Sequence, residues 1–419
     1  MNRYEKYKPS GIEWIGEVPE HWDLKKIKFC FDVYAGATPK TENPDNWDGD
    51  IVWVTPADYK TEDKFIRGGQ RTITKQGYDS CNTQIVPKGS IVFSKRAPIG
   101  TIAISDVELC TNQGCLSCVP KGTNSTYYYY VMSVSTECFD LLGSGATFKE
   151  ISADSFSNVK LPFPSPAEQE AIAAYLDARC GDVDKVVATQ EKRIALLNEM
   201  KQSIITQAVT RGLNPDAKMK DSGVEWIGMV PEHWVRKPLK FVTNIIMGQS
   251  PNGDEIKDEG ECLFMQGNAE FGKKYPNAVY YCDNCSKHSR VGDILMSVRA
   301  PVGELNYSDQ EYGIGRGLCS IKATSIYDGF LWYYLWKSKD DFNSFSNGST
   351  FTAITVETLK GFPIIVPSPA EQEAIAAYLD ARCVEIDKQI DAVTRQIELL
   401  KEYKQAVITE VVTGKRNVF

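Results

Sequence analysis

The chain has 419 residues but only three histidines, and no apolar run in it approaches a membrane-spanning helix, which needs roughly 18 residues or more. Its first residues, MNRYEKYKPSG, lack the apolar stretch of a secretory leader. The expectation is a soluble, cytoplasmic protein without membrane contact. Positive charge is also short: 47 Lys and Arg stand against 55 Asp and Glu, a net of −8. That balance argues against a lone protein that coats nucleic acid indiscriminately. No GxxxxGK[ST] loop is present, so ATP hydrolysis by this chain is not expected. Gly313, Gly315 and Gly317 make a glycine-rich stretch, yet no GxGxxG opens a helix after a strand. Asn43-Pro44 and Asn214-Pro215 lack the Pro and aromatic that continue an amino-methyltransferase motif. Two of the histidines, His21 and His233, precede Trp22 and Trp234 in matching contexts, which suggests packing rather than catalysis.

What the sequence does contain is a second copy of itself. PSPAEQEAIAAYLDARC occurs at 164–180 and, unchanged, at 367–383, an offset of 203. SGIEWIGEVPEHW at 10–22 returns as SGVEWIGMVPEHW at 222–234, and AGATPK at 35–40 aligns with MGQSPN at 247–252, both at an offset of 212. KGSIVFSKRAPIG at 88–100 matches VGDILMSVRAPVG at 291–303, NQG at 112–114 matches GRG at 315–317, and GSGATFKEIS at 143–152 matches SNGSTFTAIT at 346–355, all at 203. The second copy therefore lacks nine residues (212 − 203) between positions 40 and 88. A period this long is a duplicated domain rather than a solenoid.

Each unit reads as a tryptophan-rich lead-in, a variable α+β part and a long helix. IVWVTP and QIVPKGSIVFS show strand alternation with Gly and Pro punctuation, whereas TYYYYVMSVSTECFDLL and YDGFLWYYLWKSKDDF suit helices. Ser165-Pro166-Ala167-Glu168 and Ser368-Pro369-Ala370-Glu371 are capping boxes with proline at the first helical position. A heptad seam follows through Val183, Val187, Gln190, Ile194, Leu197, Lys201, Ile204 and Ala208. Its counterpart runs through Ile386, Ile390, Val393, Ile397, Leu400, Lys404, Val407 and Val411. Two matched seams predict helices that pair as an antiparallel coiled coil about a pseudo-two-fold axis; the other arrangement has each helix capping its own globular part. The expected layout is a first globular part at 1–163, a spacer helix at 164–212, a second globular part at 213–366 and a second spacer helix at 367–419. Lys201 and Lys404 occupy one seam position, where a lysine either fixes register or marks an exposed end. Gly212 and Gly414 suit the helix ends.

Twelve cysteines in a cytoplasmic chain read as reduced thiols. Cys115 and Cys118 have zinc-ligand spacing, but their counterparts Leu318 and Ile321 point to apolar strand positions. Cys282, Cys285 and His288, with Cys262, form a possible zinc set in the second copy; bland loop cysteines are the expectation, and no metal is assigned. Cys180 and Cys383 look like small helix-face residues. Residues 23–160 carry 15 cationic and 16 acidic side chains, and 235–363 carry 14 and 15. Both parts are thus near neutral, and either can bind DNA if its cations cluster. Arg67, Gln70, Arg71, Lys75 and Gln76 form one polar cluster; Gln266, Asn268, Lys273, Lys274, Lys287 and Arg290 form another. Arg, Gln and Asn can read base edges, while Lys mainly meets phosphate.

The doubled lead-in SGIEWIGEVPEHW, the PxPxxEQxxIAxxL helix start in PSPAEQEAIAAYL and the tandem order of variable part and shared helix resemble, over essentially the whole chain, the specificity (S) subunit of type I restriction–modification systems. The resemblance implies that each variable part is a target recognition domain reading half of a bipartite double-stranded DNA target. It implies that the shared helices form a spacer docking two methyltransferase (M) subunits, which methylate adenine with S-adenosylmethionine. Restriction (R) subunits, with ATP and Mg, then translocate and cut DNA. This chain is expected to be non-catalytic and to hold no cofactor, and most phosphate contacts fall to the M subunits. The alternative is an assembly scaffold that docks partners without reading DNA.

Residues common to both copies cannot discriminate unlike half-sites. Arg96 and its equivalent Arg299 are therefore assigned to phosphate or scaffold, and Lys95 and Arg316 complete the candidate DNA-binding set. Base readout is expected between positions 40 and 88 and in the shorter counterpart at 252–291, with a non-palindromic target. Val183, Val187, Ile194, Leu197, Lys201, Ile386, Ile390, Ile397, Leu400 and Lys404 are the candidate spacer and subunit interface. The 28 residues of 183–210 extend about 42 Å as helix, comparable to one turn of B-DNA at about 34–36 Å.

Overall fold

The lead-in folds identically in both copies. Tyr7–Pro9 pairs antiparallel with Glu17–Pro19, and Met219–Asp221 with Met229–Pro231. Ser10 closes the first turn, its hydroxyl donating to the Gly16 carbonyl (2.6 Å) and accepting from Ile12 N (3.1 Å); Ser222 accepts from Val224 N in the same way (3.1 Å). Each hairpin delivers a fully buried tryptophan, Trp22 or Trp234.

The computed structural model describes residues 3–59, 63–96, 98–145, 149–345 and 353–419. The matched stretch at 346–352, with 97 and 146–148 of the first copy, lies outside them. Contacts divide the chain into two units, Met1–Gln190 with Arg395–Phe419, and Glu191–Thr394. Each unit holds one globular part, the start of the long helix that follows it, and the end of the other long helix. Those helices are Pro166–Arg211 and Pro369–Val412.

In the first unit a five-stranded sheet runs Phe31–Ala35, Cys115–Pro120, Ile91–Lys95, Ile99–Ser105, Phe65–Ile66, antiparallel except for the last pair. A smaller sheet orders Cys110–Thr111, Trp47–Val54 and Arg71–Ile73. Phe31, Phe93, Tyr127, Phe139 and Phe156 pack with Trp22 against Ile172, Leu176 and Cys180 of one long helix and Val407, Ile408, Val411 and Val412 of the other. Burial of such side chains contributes about 1.5–3 kcal/mol each.

The second unit repeats the larger sheet as Thr243–Met247, Leu318–Ala323, Ile294–Ser297 and Leu305–Tyr307, all antiparallel. Its smaller sheet has four strands, Tyr280–Tyr281, Leu263–Met265, Tyr312–Ile314 and His288–Ser289. Trp234, Phe330, Tyr334, Phe342 and Phe362 pack against Ile375, Leu379 and Cys383 and against Ile205, Ala208 and Val209. Both parts are α+β, as the pattern predicts.

The tyrosine-rich segments form two helices each: Ser125–Ser133 then Thr136–Leu141, and Asp328–Lys337 then Lys339–Phe345. A serine makes each break. Ser135 Oγ donates to the Val131 carbonyl (2.6 Å) and Ser338 Oγ to that of Tyr334 (2.9 Å), a back-bond that competes with the helical ladder.

The long helices begin at their capping boxes. Ser165 N donates to Glu168 Oε2 (3.1 Å) and Glu168 N to Ser165 Oγ (3.3 Å); Ser368 and Glu371 repeat this at 3.1 and 3.4 Å. The glutamate has a further task. Glu168 Oε1 accepts from His21 Nε2 (2.8 Å) and Trp22 Nε1 (3.0 Å). Glu371 Oε1 accepts from His233 (2.8 Å) and Trp234 (3.3 Å). His21 and His233 thus fasten the lead-in to the helix. Burial alone raises the Glu371 pKa, but bonds from Ser368, His233 and Trp234 outweigh it and hold the group at about 2; Glu168 is lowered in the same way.

The next residue of the duplicated stretch is equally occupied. Buried Gln169 accepts from Asn124 N (3.0 Å) and donates to the Pro164 carbonyl (2.9 Å). Gln372 does so with Tyr327 N (2.7 Å) and Pro367 (2.8 Å). Further along, Asp177 and Asp380 accept from Tyr130 and Tyr333 hydroxyls (both 2.7 Å). Identity over these residues follows from the joints they make.

Candidate DNA interface and helical spacer

Within each unit the start of one long helix lies beside the end of the other, so they run antiparallel. In the first, Lys404 Nζ donates to both Asp184 carboxylate oxygens (2.7 and 2.8 Å), and Arg179 to Tyr403 Oη (2.9 Å). In the second, Lys201 donates to both Asp387 oxygens (2.7 and 2.9 Å). The two lysine–aspartate pairs are equivalent at the 203 offset. Val183, Val187, Ile386 and Ile397 are buried, and Ile194, Leu197, Ile390, Leu400, Lys201 and Lys404 half-buried. Outside the seam, Leu196 and Met200, and their counterparts Leu399 and Tyr403, are exposed. Each helix ends on a glycine at φ +74°, Gly212 or Gly414. A Cβ on Gly212 would stand 3.2 Å from the Trp234 ring, and one on Gly414 2.2 Å from Pro19 Cδ.

The first-copy candidates sit mainly around the smaller sheet. Arg71 lies on its edge strand with the guanidinium 3.7 Å above the Trp47 ring, and Gln70 N donates to Asp58 Oδ1 (2.8 Å). Arg67 pairs with Asp106 (2.7 Å) and Lys75 with Asp79 (2.8 Å), both exposed. Such pairs are weak in water and can be exchanged for phosphate. Lys95 is different: it is largely buried against Glu150 (2.7 Å), and Arg96 shares that carboxylate (3.5 Å). Together they tie the Ile91–Lys95 strand to the loop at Glu150, which suits a scaffold.

In the second copy Gln266 Nε2 donates to Ser250 Oγ (2.6 Å), which also accepts from Arg316 N (3.4 Å). Ser286 Oγ donates to Gln249 Oε1 (3.2 Å), and the Lys287 carbonyl accepts from Ile314 N (2.9 Å). Gln266, Lys287 and Arg316 therefore share one polar rim; Arg290 and Arg299 are exposed and Asn268 half-exposed. Lys273 and Lys274 point elsewhere. Lys273 pairs with Asp391 of the second long helix (3.1 Å), and both lysines line a groove with Asp380 and Asp387. Asp309, Asp391, Lys201 and Lys388 also line it, so four carboxylates face four lysines in that groove.

One arrangement is common to both rims; it joins Arg316, already a candidate from the sequence, with Gln113, which the sequence pattern does not single out. Gly36 and its equivalent Gly248 press so closely on the neighbouring loop that a Cβ would meet the Asn112 carbonyl at 2.2 Å or that of Gly315 at 2.1 Å. Two residues on, the Thr38 hydroxyl bonds Gln113 Oε1 in the first copy. The equivalents, at offsets of 212 and 203, are Ser250 and Arg316. An identical backbone frame presents exposed glutamine in one copy and exposed arginine in the other.

Cys115 and Cys118 lie on one strand three residues apart and face different cores, so they cannot hold one ion. Burial pushes the Cys115 thiol up to about 12. Cys262, Cys285 and His288, by contrast, bring their donor atoms together. Among the described residues no helix is long and apolar enough to cross a membrane.

A duplicated frame, unlike polar rims and helices paired through a seam define a protein with two recognition domains on a helical spacer. Residues 19–199 and 231–401 match the family described as the type I restriction modification DNA specificity domain. The chain is 31% identical over 426 residues to the putative type I restriction enzyme MjaX specificity subunit of Methanocaldococcus jannaschii, covering 96% of each. It is 38% identical over 190 residues to the MjaIX specificity subunit of that organism, covering 44% of this chain and 43% of that one. A solved chain from a study of assembly and conformational transition of the type I R-M system has the same fold, with a TM-score of 0.76 at 23% identity, covering 94% of this chain and 98% of the other. The HsdS subunit from Thermoanaerobacter tengcongensis gives 0.53 at 23% identity, with 95% and 98% covered. The chain belongs to the type I restriction–modification specificity family and carries two of its DNA specificity domains.

Proposed function

We propose that the two domains read the unlike halves of a bipartite, non-palindromic duplex DNA target. The chain positions two methyltransferase subunits and recruits restriction subunits, and catalyses nothing itself. S-adenosylmethionine belongs to the M subunits, and ATP with Mg to the R subunits. The observation that carries this reading is the pair of equivalent positions Gln113 and Arg316 on one backbone frame. Glutamine suits the adenine edge and arginine the guanine edge, so equal frames with unequal side chains suit unequal half-sites. Arg71, stacked on Trp47, adds a pre-oriented guanidinium to the first domain. The exposed Leu196 and Met200, with Leu399 and Tyr403, offer apolar anchors for the M subunits.

Methylome sequencing of a host expressing this chain with its M subunit tests the proposal. Two dissimilar half-sites separated by an unread gap are expected. A perfect palindrome overturns the unlike-half-site reading, and methylation at no defined motif returns the assembly-scaffold alternative.

A further inference from the structure

Three cysteines and the third histidine converge in the second globular part alone. Cys262 precedes the Leu263–Met265 strand, Cys282 follows Tyr280–Tyr281, Cys285 comes three residues later, and His288 opens His288–Ser289. These strands belong to the one small four-stranded sheet. Cys262 Sγ lies 3.8 Å and Cys285 Sγ 4.0 Å from His288 Nδ1, and the donor atoms of this trio all fall within 4.8 Å of one another. Tetrahedral zinc, with bonds of about 2.3 Å to sulfur and about 2.0–2.1 Å to nitrogen, separates such atoms by about 3.6 Å. The two sulfur–Nδ1 distances exceed this by a few tenths of an ångström, and the 4.8 Å bound on the trio sets the contraction that closes the site at about 1 Å or less.

The surroundings suit a cation. His288 Nε2 donates to the Cys285 carbonyl (2.7 Å), the usual outer support of a ligating imidazole. Cys262 Sγ lies beside Nδ1, whereas Cys285 Sγ is 3.7 Å from Nε2 and 4.0 Å from Nδ1, so ligation through Nδ1 needs Cys285 Sγ to move toward that side of the ring. Nδ1 also lies 3.2 Å from exposed Glu311 Oε1, a proton position that a metal ion would take over. Gly313 faces the cluster, where a Cβ would meet Cys285 Sγ at 2.1 Å. Cys282 is only 1% exposed. It packs with Cys285 and Phe264 in one small buried cluster, with Cys262 against it.

We propose that Cys262, Cys282, Cys285 and His288 bind a structural zinc ion that clamps the small sheet of the second domain. Four protein ligands close the coordination sphere, so the ion is structural rather than catalytic. The strands it joins have only two or three residues, and its binding free energy becomes local folding free energy. Gln266 lies four residues beyond Cys262, and Lys287 and Arg290 flank His288. On the function proposed above, the ion therefore orders the reading loops of one half-site only. Positions 79, 82 and 85, the first-copy equivalents of 282, 285 and 288, hold Asp79, Asn82 and Ile85.

The test is elemental analysis of the full-length chain purified with its M subunit under reducing conditions. The expected result is about one zinc per chain, nearly abolished in Cys262→Ser and His288→Ala and unchanged in Cys81→Ser. Reconstitution of the wild type with Co2+ should give the thiolate-to-metal absorption of a tetrahedral site, a readout that needs no variant to fold. Absence of both zinc and the cobalt spectrum overturns the proposal, as does a disulfide among Cys262, Cys282 and Cys285. Metal content is independent of DNA reading, so this result and the methylome result fail separately.

Discussion

The two globular parts share a frame and differ in what hangs on it. Trp22 and Trp234, the capping glutamates, the buried glutamines and four strands of the larger sheet coincide. The smaller sheets do not. The first has three strands packed on the edge-to-face pair Trp47 and Trp53 (5.2 Å between centroids). The second has four very short strands around a cysteine–histidine cluster. One chain thus displays which positions a recognition frame must keep and which it releases. The kept ones join lead-in, helix and core; the released ones form the rim.

The largest effect tests the frame where its copies are least alike. Alanine at Gly212 or Gly414 must adopt φ +74°, at roughly 1–2 kcal/mol. At Gly414 the new Cβ also collides with Pro19, whereas at Gly212 it only touches Trp234, so Gly414→Ala should lose about 1–3 kcal/mol more. Urea unfolding measures both, and equal losses would break the asymmetry. Next in size is reading. Gln113→Ala should relax the first half-site and Arg316→Ala the second, each by about 1–3 kcal/mol of discrimination. Competition binding with single-base variants, the M subunit present, checks this. If either substitution relaxes both half-sites, the one-domain-per-half-site assignment fails.

A smaller effect follows from the joint at Glu371. Its folded pKa, about 2, lies below the ordinary 4.5. A depressed carboxylate contributes stability that is fully present above the ordinary value and is lost as pH falls through the folded one. Stability should therefore decline between about pH 4.5 and 2 through this group, and Glu371→Gln should flatten that part of the profile in urea titrations. An unchanged slope would remove Glu371 from the acid response.

Much of this was legible beforehand because it is local or repeated. The capping box, the seam period and the buried strand cysteines are each set by spacing over a few residues. Contacts between distant segments were not. A seam predicts that helices pair, but not that Val407–Val412 completes the first core and Ile205–Val209 the second. Lys273 counts as a cation in any window, yet its neighbour Asp391 is 118 residues away. Thr38 with Gln113, and Ser250 with Arg316, become visible only when both offsets are applied at once, and they lie outside the stretch at 40–88 where divergence is most obvious. Charge and variability mark a polar surface; the glycine contact beneath it decides which side chains stand on a common frame.

The smallest effect concerns the seam lysines. Lys201 and Asp387 are 22% and 40% exposed, Lys404 and Asp184 31% and 58%. Solvent screens both pairs, so double-mutant cycles should give coupling below about 1 kcal/mol in each. The less exposed second-unit pair should be the stronger and the less sensitive to salt. If register depends on these pairs, replacing both lysines by methionine should loosen the seam although apolar area is gained. Cysteine cross-linking across the seam would show this as more than one register. A single register in the double variant would mean that the apolar residues and the two anchored helix ends set the alignment unaided.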